Sequence, residues 1–201
     1  WLKISAEIDD RFEMTQLTLI ASARWMSSAT NLNVKVMAKA AAWYSPRYNA
    51  IGMNTDATNP AQLAKKYKFN ETNKVRQLDA RNERLRKLDV NDPARVAAER
   101  LGDAWDYTAT PMTPRNVAIH EQGHRFHYQT ANFEEVNRAI GFGRGDEWRK
   151  WIDALSGYGA TNNREFVAES FAIYLGAPDQ HWRIMPALLN IFKDRDKANV
   201  A

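Results

Sequence analysis

The chain of 201 residues contains no cysteine, which excludes both a disulfide framework and a thiolate metal site. No apolar run approaches the ~20 residues of a membrane-spanning helix, and the opening residues lack the charged, apolar, small-residue order of a secretory leader. Repeats, low-complexity tracts and a composition break marking a domain boundary are also missing. The first residue is Trp1 rather than Met, as expected of a processed product or a domain of a longer polypeptide. The length suits one domain with a sizeable core over 1–201. Net charge is +4 and the pI near 9.3. Much of the basic character lies between Lys74 and Lys87, where Arg76, Arg81, Arg84 and Arg86 are interleaved with Asp79 and Glu83. A nucleic-acid surface carries fewer acids and more aromatics, so this stretch reads as a solvated helix face, and nucleic acid is not an expected partner.

The chain is rich in helix signals. Ile4, Ile8 and Phe12 recur every four residues, which predicts an opening helix running toward Trp25. Leu32, Val34 and Val36 alternate with Asn33 and Lys35 as in a half-buried strand. Ala41–Tyr44 and Ala50–Met53 read as a strand pair joined by a turn at Ser45-Pro46-Arg47-Tyr48-Asn49, with Ala50–Asn54 the expected sheet edge that could pair with an extended peptide. Asn59-Pro60 and Asp92-Pro93 are cap-plus-proline starts, predicting helices over about 60–68 and 93–105. Between them Val75, Leu78, Leu85 and Leu88 form the narrow apolar stripe of a charged helix. Later helices are expected over about 133–140, 147–155 and 181–194, with the three-glycine loop Gly141–Gly145 as a mobile segment near a cleft rather than a phosphate loop. The sum is an α+β, predominantly helical fold with a small N-terminal sheet, a helical insertion at about 57–108 and a helical C-terminal part.

Thr113-Pro114 opens another helix, as N-cap and first helical residue, running to about Gln129. Its interior holds His120-Glu121-Gln122-Gly123-His124, the H-E-x-x-H arrangement of zinc hydrolases. Positions i and i+4 share a helix face, so both imidazoles can reach one ion, while Glu121 on the flank can take a proton from water that the ion has acidified. Gly123 is about 1 kcal/mol poorer than Ala in a helix, which suggests close approach of another backbone or of substrate. His127, one turn beyond His124, fits a supporting or substrate-facing group, or an ordinary helix histidine.

A catalytic zinc takes three protein ligands and keeps a fourth position open. In one large class the third is a His six residues after the second motif His, with a Gly between; Thr130 and His127 occupy those positions and exclude that class. A glutamate from a later helix is the other common solution, and Asn162–Ala172 offers Glu165 and Glu169 at i, i+4 on an otherwise apolar helix. Glu165 could instead close a capping box with Asn162, and Glu169 could pair with Arg125 or Arg164.

The stretch Tyr158–Ala172 resembles the active-site region of the anthrax lethal factor-like metallopeptidases and related glutamate-zincins, including the secreted Pro-Pro endopeptidases. Tyr158, Glu165, Phe166, Ala168 and Glu169 match that pattern, and the likeness covers about 114–175. The resemblance implies a zincin-like fold and a zinc endopeptidase acting on a protein or peptide, with one Zn²⁺ held by His120, His124 and Glu165. It further implies Glu121 as general base, Tyr158 as donor to the oxyanion and Glu169 as a carboxylate orienting a ligand histidine. Similar domains occur in bacterial effectors and large phage virion polyproteins. Secretion, effector delivery or virion association is therefore expected over a resident cytoplasmic enzyme, and a catalytically silent zincin-like module of such an assembly is the alternative.

Overall fold

The computed structural model describes residues 2–14, 19–22, 41–54, 59–66, 71–128 and 132–199. Helix α1 (Leu2–Phe12) is followed by strands β1 (Leu19–Ser22), β2 (Ala42–Ser45) and β3 (Ala50–Met53). Then come α2 (Pro60–Lys66), α3 (Glu71–Leu85), α4 (Pro93–Leu101), α5 (Pro114–Tyr128), α6 (Asn132–Ala139), α7 (Trp148–Leu155), α8 (Asn163–Gly176) and α9 (Pro186–Arg195), with short 3₁₀ turns at Gly102–Ala104, Pro178–Arg183 and Lys197–Asn199. The fold is thus α+β and predominantly helical. Among the described residues no helix is long and apolar enough to cross a membrane.

The opening helix stops well short of Trp25. Glu13 takes a left-handed φ of 50° and the Met14 N–H returns to the Asp9 carbonyl, closing a C-terminal cap. Residues 19–22, expected to be helical, form β1 instead. The predicted strand around Leu32–Val36 lies outside the described residues. β1 pairs parallel with β3 and β2 pairs antiparallel with β3, in register Ala42↔Met53 to Ser45↔Ala50. The order β1-β3-β2 puts Ala50–Met53 in the middle of the sheet, so the expected edge is a central strand. Gly52 lies beneath the Trp43 indole, where a Cβ would collide with the ring.

The core forms where α1, α5, α8 and α9 meet. Phe12, Phe126, Phe171 and Phe192 are buried together: Phe126 and Phe171 stack with centroids 5.3 Å apart, and the other contacts are edge-on or tilted, with Phe12 and Phe171 centroids 5.1 Å apart. Helix α1 is further fixed to α5 by the buried Arg125, which pairs with Asp9 and donates to Gln122 Oε1 at 2.9 Å, while Gln122 bonds Ser5.

The basic stretch of α3 is only partly solvated. Arg81 is 2% exposed and donates to the Asp153 and Ala98 carbonyls. Arg84 pairs with the buried Asp153 carboxylate at 2.6 Å. These bonds fasten α3 to α4 and α7, so two of the four arginines are structural. The final helix begins at Pro186 rather than His181, because Met185 before a proline is held extended (ψ 126°).

Candidate metal centre

The site is built where α5 crosses α8. Thr113 caps α5, its Oγ accepting from the Asn116 N–H at 3.1 Å, which places His120, Glu121 and His124 in regular helix. Asn162 caps α8, accepting from the Arg164 and Glu165 amides at 3.0 and 3.1 Å. The helices nearly touch at Gly123: a Cβ there would lie 2.8 Å from Ala168 Cα. That proximity, expected from a glycine inside a helix, brings the carboxylates of α8 onto the imidazoles of α5.

Glu165 Oε2 lies 3.0 Å from His120 Nε2 and 3.2 Å from His124 Nε2. One ligand atom from each of the three residues lies within 4.8 Å of the others, so His120, His124 and Glu165 form a group that could hold a metal ion. Glu165 therefore faces the imidazoles rather than the helix cap. Glu169 takes the opposite side of the same ring, accepting from His120 Nδ1–H at 2.9 Å. It also accepts from the Ala109 N–H at 2.5 Å and the Ser156 hydroxyl at 2.9 Å. Neither arginine weighed as its partner reaches it in this arrangement: Arg125 pairs with Asp9, and Arg164 is exposed over the Tyr128 ring.

Glu121 is 4% exposed, and its Oε2 has no hydrogen-bond partner. Burial raises its pKa, a shift that His124 and His120 partly offset. Burial would lower the His120 pKa, but hydrogen bonds to Glu165 and Glu169 outweigh it and hold the imidazole well above its ordinary range. For Glu165, burial pushes upward and the two histidines win, keeping the carboxylate ionised. The Tyr158 ring stacks on His120 with centroids 5.7 Å apart, and Tyr107 covers it at 5.5 Å. Burial, reinforced by Glu165 and Glu121, raises the Tyr158 phenol far above its usual value.

His127 belongs to the core. It is fully buried and stacked on Phe133, and Nε2–H donates to Asn137 Oδ1 at 3.3 Å. Burial lowers its pKa to about 4, so it is the ordinary helix histidine among the readings of this position.

A cavity of about 50 Å³ opens beside His120 and Glu121, walled by Ala42, Met112, Val117 and Tyr158. Thr108, Thr110 and Met112 also line a groove of about 750 Å³ that leads toward Arg100 and Trp182. The Gly141–Gly145 loop lines neither. Its backbone is closed on itself by bonds from Asp146 N–H to Gly141 O and from Phe142 N–H to Asn137 O.

Sequence reasoning missed Ala109, Ser156 and Tyr107. Ser156 and Tyr107 sit in loops without periodicity, and Ala109 contributes only its main chain, so nothing in the residue types marks them. Comparison with protein-family models, curated proteins and solved structures yields no match to this chain.

Proposed function

We propose that this chain is a zinc-dependent endopeptidase of zincin-like fold, with His120, His124 and Glu165 as ligands, Glu121 as general base and Tyr158 as donor to the oxyanion. The observation that carries this reading is the convergence of two imidazole nitrogens and one carboxylate oxygen beside a buried, unbonded oxygen of Glu121. Tetrahedral zinc with bonds of about 2.0–2.2 Å spaces its ligand atoms about 3.4 Å apart. The separations of 3.0 and 3.2 Å to Glu165 Oε2 are close to that spacing. Two His and one Glu are also the donors of catalytic sites, which keep a fourth position open. A zinc ion held there supplies Lewis acidity, lowering the pKa of water and polarising a carbonyl oxygen.

The remaining chemistry belongs to the protein's own side chains. Glu121 Oε2 has no competing donor, so it is free to accept a proton from water. Burial raises its pKa, which favours carrying that proton on to the leaving amine. Tyr158, with its pKa raised, stays protonated and donates throughout. Glu169 accepts from His120 Nδ1–H and so leaves Nε2 to act as a ligand. The groove past Thr108–Met112 gives an extended peptide a route to the site.

The test is elemental analysis of chain purified without added metal, followed by a peptide-library digest. About one zinc per chain with cleavage that Glu121→Gln abolishes, zinc being retained, is the expected result. Zinc without cleavage would make the chain a silent zincin-like module; absence of zinc overturns both.

A further inference from the structure

The carboxylate behind His120 is held by more than its imidazole partner. Glu169 is 3% exposed, and its Oε2 receives the Ala109 N–H and the Ser156 hydroxyl while Oε1 faces His120 Nδ1. The same Ser156 oxygen accepts from the Gly159 N–H at 3.0 Å, so one fully buried hydroxyl joins Glu169 to the turn that carries Tyr158.

The two donors to Oε2 come from separate loops, and one side chain fastens both. Arg183, 4% exposed, donates from Nη1 to the Ala109 carbonyl at 2.9 Å. Its Nε donates to the Ala154 carbonyl at 3.0 Å and its Nη2 to the Leu155 carbonyl, immediately before Ser156. The planar fork of a guanidinium can hold three carbonyls in fixed relation; a lysine cannot. Gln180 Oε1 accepts a further Nη1 bond at 2.6 Å, which steadies the fork.

With His120 read as a zinc ligand, we infer that Ser156 and Arg183 are positioning residues: together they fix the Glu169 carboxylate, through it the His120 ring, and through Gly159 the turn of Tyr158. Loss of a partner behind a ligand histidine loosens metal by about 10–100-fold. Ser156 acts one bond further out, so Ser156→Ala is expected near the lower end, about tenfold. Arg183→Lys keeps the charge but loses the fork, and should loosen zinc similarly.

The experiment is chelator competition for zinc on the full chain, for wild type and both variants, with circular dichroism confirming the fold. It is paired with the NMR signal of the His120 Nδ1 proton, which reports the bond to Glu169 directly. Weakened zinc binding together with a shifted His120 signal is expected, and the Ser156→Ala effect should shrink when Glu169→Gln is already present. A folded Ser156→Ala within twofold of wild-type affinity, with an unmoved His120 signal, overturns the assignment, as does full additivity with Glu169→Gln. Should Ser156→Ala fail to fold, Ser156→Cys keeps the shape with a weaker donor, and wild-type affinity there counts equally against it. Wild type that binds zinc but cleaves nothing overturns the peptidase reading and leaves the clamp standing. Wild type that takes up no zinc overturns the metal reading, and the His120 signal still decides the clamp.

Discussion

Replacing Gly123 by alanine tests the crossing that assembles the site. The new methyl would lie 2.8 Å from Ala168 Cα, 2.9 Å from Phe171 Cβ and 3.1 Å from Ala168 O. Carbon atoms in favourable contact sit about 3.5–4.0 Å apart. The backbone of α8 cannot rotate out of the way as a side-chain tip can, so the helices must separate by about 0.7 Å to restore that contact. Overpacking of this kind costs about 1–3 kcal/mol, against about 1 kcal/mol gained from the better helix propensity of Ala. The net expectation is a loss of up to about 2 kcal/mol, or up to roughly 8 °C in melting temperature for a chain of this size. Zinc affinity should fall as well, because Glu165 and Glu169 flank Ala168 on α8 while metal–ligand distances tolerate only about 0.2 Å. Urea unfolding followed by circular dichroism, with chelator competition alongside, measures both. A Gly123→Ala variant more stable by about the propensity difference would refute the close approach of α5 and α8.

Three further outcomes follow from the site. Glu121→Gln should lower kcat/KM for a cleaved peptide by about 10²–10⁴-fold with zinc content unchanged; near-normal turnover would remove Glu121 from the proton path. Tyr158→Phe should lower kcat by about 10²–10³-fold with little change in KM or zinc binding, and a pure KM effect would make the tyrosine a substrate contact instead. His127 has a pKa near 4 in the fold against an ordinary 6.5, so the unfolded chain binds its proton more tightly. Its contribution to stability is complete above the unfolded pKa and is lost as pH falls toward the folded one, by roughly 3 kcal/mol in all. His127→Phe should flatten that part of the pH–stability curve, and parallel curves for variant and wild type would place the histidine in solvent.

Much of the helical pattern is legible in the chain because caps and prolines act over a few residues. Asp92-Pro93, Thr113-Pro114 and Asn162 start helices where those residues stand. The hairpin from Ala42 to Met53 is likewise local. Errors arise where a helix end carries no residue-type signal and where distant contacts outweigh local pattern. The four-residue periodicity of Ile4, Ile8 and Phe12 gives no sign that Glu13 ends the helix in a left-handed conformation. Strand order is also nonlocal: β1 pairs with β3 from across residues 23–49, and that parallel pairing turns a presumed edge into the centre. Arg81 and Arg84 look solvated because their buried partners, the Asp153 carbonyl and carboxylate, lie some 70 residues away.

By itself the sequence determined which side chains could meet an ion: His120 and His124 by their i, i+4 spacing on a capped helix, Glu165 and Glu169 by the same spacing on a second. Spacing alone left the two glutamates open to other roles, because both occupy one face of α8. The crossing at Gly123 and Ala168 decided between them, setting Glu165 against the Nε2 atoms and Glu169 against Nδ1 of His120. Only the tertiary structure could add Ser156, the Ala109 amide and the Arg183 fork. Their contribution is direction and burial, which arise from segments far apart in the chain and leave no mark on residue type or period.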